Sequence, residues 1–470
     1  MVTPFINRTA ELAFLEAAWQ RPEAQLLVVL GRRRIGKTAL LRHFASRHPI
    51  VHYVATRLPE AQQLAELGEA VGVALGDPLL AENGFRDWRQ VFGLLAAGRQ
   101  RLALIIDEFP YLVEANPALP SLLQRAWDET LAAGHAWLVL CGSSVAMMER
   151  ETLDARAPLY GRRTGQLRLG PLPFDAARQF VPEYHFEDAV RTYAVVGGIP
   201  HYLQLLDSSR SLSVNIRDAV LGAGAPLRDE VEFLLRQELV ETRIYFGILA
   251  AIAAGKEKFG EIINATHLPP GNVSKYLAVL QALGLVARDV PASEHDPDKS
   301  KRGLYRIADP FVRFWFRHVR RGWSRLETGQ LELVLQDVDA DLDHLAAAAY
   351  EDLCRQVAAT GRLATGGLAT RRWSRVGRWW NRFDEIDVVG FADDGGLLAG
   401  EAKWSSRPVG LNVLDELRAK VERSGLGANA HDVTFALFSR SGFTPALRTA
   451  SHASSDVVLV EGLTPKPLRK

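Results

Sequence analysis

Gly31-Arg32-Arg33-Arg34-Ile35-Gly36-Lys37-Thr38 is the stretch that decides the fold of this 470-residue chain. It fits Gly-x-x-x-x-Gly-Lys-[Ser/Thr], and its surroundings supply the context that pattern needs. The run Gln25-Leu26-Leu27-Val28-Val29-Leu30 before it predicts a buried parallel strand. Ala39-Leu40-Leu41-Arg42-His43-Phe44 after it predicts a helix. A glycine loop between strand and helix turns backbone N–H groups toward a phosphate, and the helix N-terminus adds partial positive charge. Residues 31–39, Ala39 included, are therefore expected to cradle the phosphates of a nucleotide, with Lys37 reaching the β and γ positions and Thr38 ligating Mg²⁺.

A second apolar run, Arg101-Leu102-Ala103-Leu104-Ile105-Ile106, ends in Asp107-Glu108. In the company of the glycine loop this pair is expected to serve the same nucleotide, Asp107 holding the Mg²⁺ shell and Glu108 polarising the attacking water. The alternative is that the pair caps the next helix. A third strand, Ala136 to Cys141, runs into Gly142-Ser143-Ser144. Ser143 is expected to contact the γ-phosphate or the water; as an alternative, the two serines are the N-cap of the following helix.

Apolar residues make up 47% and charged residues 24% of the chain, ordinary values for a globular protein of about three domains. A net charge of +1 argues against a globally basic nucleic-acid coat and leaves local patches open. The two cysteines, Cys141 and Cys354, lie far apart in apolar contexts, which suggests reduced, buried thiols and no metal cluster. No signal-like apolar segment follows Met1 and no run reaches membrane-span length, so the expected location is cytoplasmic, with no membrane partner.

Strands expected near 25–30, 50–56, 101–107, 136–142 and 166–170 alternate with helices, which implies a parallel sheet covered on both faces. A helical stretch follows from Pro173, bent at Val196-Gly197-Gly198-Ile199-Pro200. Together Phe5-Ile6-Asn7-Arg8, Glu11-Leu12, the glycine loop, Ile106-Asp107-Glu108-Phe109, Gly142-Ser143-Ser144, Leu159-Tyr160-Gly161-Arg162-Arg163 and Gly197-Gly198-Ile199-Pro200 resemble the archaeal-type ATPases of the AAA+/STAND group of P-loop ATPases. The resemblance implies binding and hydrolysis of ATP with Mg²⁺, Pro200 in a lid near the adenine, and Arg162 or Arg163 as an arginine finger. A finger acting in trans would require a homo-oligomer; the alternative for both arginines is a surface ion pair.

Beyond residue 228 the character changes. Helices around 244–253 and 259–266, a turn at Leu268-Pro269-Pro270-Gly271, a helix capped by Asn272 and running to Leu283, and strands at 285–290 and 304–307 around a basic loop predict a winged helix-turn-helix. Asn272, Ser274 and Lys275 would meet DNA bases or phosphates, with Lys299, Lys301 and Arg302 of the wing on phosphates. The alternative is a module that only packs internally. The segment from 371 to 382 interleaves arginines with Trp373, Trp379 and Trp380, which reads either as a phosphate-tracking, base-stacking surface or as core tryptophans with solvated arginines between them.

The last segment pairs strand Phe383–Phe391 with strand Leu397–Trp404 across the turn Asp393-Asp394-Gly395-Gly396. Glu401 and Lys403 alternate onto one face, Asp387 lies on the paired strand, and Glu351 comes from an upstream helix. This set resembles a PD-(D/E)XK nuclease site. It implies that Glu351, Asp387 and Glu401 bind a divalent metal, Mg²⁺ or alternatively Mn²⁺, helped by the Ala402 carbonyl, while Lys403 activates the water.

The expected fold class is α/β: a P-loop ATPase core with a parallel sheet over 1–172, a helical lid over 173–228, a winged helix-turn-helix over 229–325 and a small α/β restriction-endonuclease-like domain over 335–470. The expected function is ATP hydrolysis coupled to action on DNA, the nucleotide state controlling a nuclease-like domain. The alternative is an ATP-dependent switch that binds DNA or a protein without cutting.

Overall fold

The computed structural model describes residues 5–97, 102–360 and 371–465. Residues 1–4, the Arg101 start of the second expected strand, and the 361–370 and 466–470 parts of the expected last domain lie outside the described residues. The chain divides into two compact units. The first comprises Met1–Gln179, Ile199–Leu205 and Glu232–Val240, and the second Phe180–Gly198, Leu206–Val231 and Glu241–Lys470. The expected lid is thus shared between them. The Gly197-Gly198 bend falls on a boundary, and Pro200 belongs with the glycine loop's unit.

The first unit is built on a five-stranded sheet of β1 (Gln25–Leu30), β2 (Ile50–Val54), β3 (Ala103–Asp107), β4 (Trp137–Gly142) and β5 (Gly165–Arg168), in the order β2-β3-β4-β1-β5. Every pairing is parallel. β1, β3 and β4 are buried along their whole length, as continuous apolar runs require when helices cover both faces. The order matters for chemistry. β4 lies between β1 and β3, so Ser143, just past β4, stands between the glycine loop after β1 and the acidic pair that closes β3. That is the carboxyl end of a parallel sheet, where open α/β folds bind ligands.

The second unit contains a two-stranded hairpin, β6 (Val286–Asp289) and β7 (Leu304–Ile307), behind helices Thr242–Ala253, Phe259–Thr266 and Pro270–Ala282. The last of these begins three residues earlier than expected. Pro269 is its N-cap and Pro270 its first residue, so Asn272 lies inside the helix and does not cap it. Proline at the first helical position lacks only an N–H that would have no partner there anyway.

A 29-residue helix, Leu331–Ala359, then leads to a six-stranded sheet of β8 (Trp373–Trp380), β9 (Glu385–Ala392), β10 (Leu397–Lys403), β11 (Val433–Ser439), β12 (Val457–Glu461) and β13 (Thr464–Pro465). β8, β9 and β10 are antiparallel neighbours, whereas β10, β11 and β12 run parallel. Helix Leu411–Ser424 makes the crossover from β10 to β11. The hairpin turn is at Asp393–Gly396 as expected, with Gly395 at φ 86°, a left-handed conformation that favours glycine.

Candidate functional site

The glycine loop is fixed by three local facts. Gly36 sits at φ 92° directly before helix Lys37–Ala45. A Cβ on Gly31 would lie 2.7 Å from the Leu169 carbonyl oxygen, so that close approach excludes any larger residue. Arg8, buried and itself left-handed at φ 66°, donates from Nη2 to the carbonyl oxygens of Ile35 (2.8 Å) and Gly170 (2.9 Å) and from Nη1 to Glu11 (2.8 Å). Arg8→Ala is expected to loosen the loop and cost about 2–3 kcal/mol of stability, since charge-assisted, buried bonds are lost and acceptors left bare. Denaturant unfolding followed by a fluorescent nucleotide measures both effects.

Small-molecule sites run from about 300 to 1,000 Å³, and here a cavity of about 450 Å³ opens over the loop. Arg33, Arg34, Gly36, Lys37, Thr38 and Ala39 line it, with Glu108, Ser143 and Pro200 from the expected set and His201, Gln204 and Gln237 besides. Lys37 Nζ donates to the carbonyls of Gly31 (2.6 Å) and Arg32 (3.0 Å), and burial lowers its pKa. Glu108 is held at φ 55° at the start of helix Phe109–Ala115 without capping it; its carboxylate instead accepts from Ser143 Oγ at 2.8 Å. Ser144 likewise precedes helix Val145–Met148 without a side-chain cap bond. Glu108 and Ser144 thus hold the N-cap positions without a side-chain cap bond, and β3 and β4 together bring Glu108 and Ser143 to the cavity. A left-handed non-glycine residue at such a place stores strain of order 1–3 kcal/mol, which the surroundings must hold.

Asp107 is fully buried. Burial works against its ionised form, but the His52 ring, the Thr38 hydroxyl and the Cys141 thiol outweigh it and hold the carboxyl down at about 2. Its Oδ2 has no well-formed hydrogen bond, His52 Nε2 being 3.7 Å away. An orphan carboxylate oxygen beside Thr38 fits a hard divalent cation. When bound, Mg²⁺ would supply charge neutralisation to the phosphates there.

Arg162 is not among the residues lining this cavity. Its guanidinium grips Asp128 in two bonds of 2.8 and 2.7 Å, and Arg163 donates to the Thr152 carbonyl at 3.1 Å. Within one chain the ion-pair alternative describes Arg162.

Comparison with known proteins agrees with this geometry. A family model described as an ATPase domain predominantly from Archaea matches residues 5–206. An uncharacterized protein of Methanocaldococcus jannaschii is 31% identical over 401 residues, spanning 85% of this chain and 87% of its own. The chain belongs to this archaeal ATPase family. An uncharacterized ATP-binding protein of the same organism is 43% identical over 49 residues, 10% of this chain and 83% of its own. Among solved structures, a Walker-type ATPase of Pyrococcus abyssi superposes with a TM-score of 0.50 at 20% identity, over 67% of this chain and 99% of that one, a likeness of fold. A model of the IclR helix-turn-helix domain matches residues 244–290, and one for archaeal and bacterial proteins of unknown function matches 315–418.

Within the second unit the wing does not stand alone. Ala292 N donates to the Arg378 carbonyl (2.9 Å), Arg375 Nη1 donates to the Glu294 carbonyl (2.7 Å), and Arg302 bonds the Trp380 carbonyl. Lys299, expected on phosphate, pairs with Asp296 at 3.0 Å. Between wing and β8 lies a groove of about 460 Å³ lined by Lys258, Lys301, Arg302, Trp379, Trp380 and Arg382. Two stretches singled out separately in the sequence thus share one basic, aromatic-lined groove. Trp373 and Trp379 are buried, as the core alternative expects, while Trp380 is half-exposed beneath Arg378.

The last candidate site is less open than expected. β9 and β10 pair through Val388 and Gly400, which puts Asp387 opposite Glu401. The ladder stops there because the Asp387 carboxylate takes the Ala402 N–H at 2.9 Å. The Ala402 group engaged is thus its amide. Glu401 is gripped by Lys403 Nζ at 2.6 Å and by Lys420 Nζ, from helix Leu411–Ser424, at 3.1 and 3.3 Å. Lys420 carries no signal at motif spacing; only the crossover helix brings it in.

Burial and then the Glu401 charge raise the pKa of Asp387; burial and then the Asp387 charge raise that of Glu351 to about 7. Burial works to lower the Lys403 pKa, but its bond to Glu401 and the nearby carboxylates leave it raised. Among the described residues no three His, Cys, Asp or Glu side chains converge to hold a metal ion. Glu351, Asp387 and Glu401 lie near enough to feel one another's charge, but they form no such group as they stand, and two ammonium groups hold Glu401.

Among the described residues no helix is long and apolar enough to cross a membrane. Both cysteines are free and buried.

Proposed function

We propose that this protein binds and hydrolyses ATP with Mg²⁺ and couples the nucleotide state to contact with DNA. The observation that carries the reading is the single cavity that gathers Lys37, Thr38, Glu108 and Ser143 around a glycine loop, with the buried Asp107 beside Thr38. Residues 31–38 hold the phosphates, Thr38 and Asp107 hold the cation, Glu108 orients the water, and Ser143 keeps Glu108 in place until a γ-phosphate arrives. Pro200 closes the cradle opposite Gly36, its Cγ standing 3.7 Å from where a Cβ on Gly36 would be. ATP turnover by wild type and by Lys37→Ala tests the reading.

DNA contact rests on the groove between wing and β8. Its cations suit phosphates, and Trp380 offers a half-exposed ring face for stacking. Replacing Lys301, Arg302 and Arg382 with Ala is expected to weaken binding evenly across sequences and to flatten the log–log salt slope by about 2–3. Fluorescence anisotropy across a salt series measures it. An unchanged slope would leave the winged helix as an internal docking module.

A second reading makes the last domain a metal-dependent nuclease. The succession of a helix, three antiparallel strands, a crossover helix and a parallel strand supports it, as does the pairing of Asp387 with Glu401-x-Lys403. The lysine pair on Glu401 favours the switch that binds without cutting. Incubation with plasmid, linear and branched DNA, with Mg²⁺ or Mn²⁺ and with or without ATP, decides between them. Cleavage that Asp387→Asn abolishes establishes the nuclease, and uncut DNA in every condition removes it.

A further inference from the structure

Glu238 ends the helix Glu230–Glu238 and belongs to the same compact unit as the glycine loop. Its neighbour Gln237 lines the phosphate cavity. Glu238 is only 8% exposed, and both of its carboxylate oxygens are buried without a well-formed hydrogen bond. A carboxylate at a helix C-terminus also opposes the helix dipole. A buried anion without well-formed hydrogen bonds is costly.

What faces it is the phosphate machinery. Burial raises its pKa, and the opposing influences are the backbone amide of Arg33 in the glycine loop, the Lys37 ammonium, the Arg33 charge and the backbone amide of Val145. Val145 lies two residues past Ser143, on the side of the cradle assigned to the terminal phosphate. Lys37 is the group assigned to the β- and γ-phosphates. The surroundings of Glu238 are thus those of an anion-binding site, filled by the protein's own carboxylate.

We propose that Glu238 is a tethered anion at the terminal-phosphate end of the cradle and the residue that sets its preference between nucleoside triphosphate and diphosphate. This rests on reading the cradle as an ATP site. A diphosphate leaves the Arg33 and Val145 amides to the carboxylate. A triphosphate brings its γ-phosphate to the same amides, and because two anions cannot share them, Glu238 must swing out. Part of the triphosphate's binding energy is consumed by that displacement. Glu238 touches neither the attacking water nor the cation in this scheme; it acts by competing for phosphate donors.

The test is equilibrium binding of Mg²⁺ with a β,γ-imido adenosine triphosphate and of Mg²⁺ with ADP, to full-length wild type, Glu238→Gln, Glu238→Ala and Lys37→Ala. Glu238→Gln keeps the shape and removes the charge, so it serves even if Glu238→Ala does not fold. The expected result is a triphosphate-over-diphosphate affinity ratio that rises about tenfold, equivalent to ~1.4 kcal/mol, in Glu238→Gln, with ADP affinity nearly unchanged. A helix-end acid with a merely structural role would shift both nucleotides together. An unchanged ratio, or a fall in triphosphate affinity, overturns the inference while leaving the ATP site intact. Wild type that binds neither nucleotide overturns the ATP-site reading itself, and with it the inference.

Discussion

Lys37→Ala is expected to abolish nucleotide-dependent thermal stabilisation and ATP turnover together. A ligand present at a hundredfold excess over its dissociation constant stabilises the folded form by about 2.7 kcal/mol. That increment depends on the one ammonium assigned to the β- and γ-phosphates. The baseline will move as well, because Lys37 Nζ satisfies the Gly31 and Arg32 carbonyls at 2.6 and 3.0 Å. The quantity to compare is therefore the shift on adding ATP, not the melting temperature itself. Glu108→Gln separates binding from chemistry. It keeps the size of the side chain and an oxygen for Ser143, so the stabilisation should persist, while turnover should fall about 10²- to 10⁴-fold as the group that polarises water is lost. If both variants turn ATP over like wild type, Lys37 and Glu108 have been given the wrong roles.

The glycine loop and the cavity over it were legible because the signal is local. A glycine loop spans eight residues, its strand and helix abut it, and chemistry fixes the spacing. Asp107-Glu108 and Ser143 were legible for a related reason: in a parallel sheet, residues that end apolar runs meet at one edge. Glu238 carried no such signal. It lies some 200 positions from the loop in sequence and enters only through tertiary packing, as does Lys420 at the other site. Helix Pro270–Ala282 starts ahead of Asn272 because proline suits the first turn of a helix, where its missing N–H has no partner to lose. The wing's basic loop was legible as a charge pattern. Which of its cations remain open was not: Lys299 has a partner at i−3, whereas Lys301 lies in the groove with β8. At the last site the strands, the turn and the facing of Asp387 and Glu401 all followed from period-two alternation. The lysine from the crossover helix did not, and it changes what the carboxylates can do.

Glu401→Ala is expected to destabilise the second unit by about 2–4 kcal/mol, because removing one partner of a buried ion pair strands the other charge. Glu401 and Lys420 are 9% and 18% exposed at their side chains, and Lys403 is 40% exposed. Lys403 can therefore turn to water when Glu401 is gone, and Lys420 is the ammonium left behind. The double variant Glu401→Ala with Lys420→Met removes that stranded charge and should recover more than half of the loss, giving a coupling energy of about 1–3 kcal/mol in a double-mutant cycle. Denaturant unfolding monitored on the six-stranded sheet's tryptophans is the measurement, since the two units need not unfold together. Equal losses with and without Lys420 would show that the clamp contributes nothing. The same series bears on the nuclease reading. A divalent cation must displace at least one ammonium to reach Glu401, so Lys420→Met should lower the Mn²⁺ concentration needed for any metal-dependent stabilisation. If Mn²⁺ shifts neither wild type nor Lys420→Met, Glu401 serves the fold through its lysines, and the domain binds without cutting.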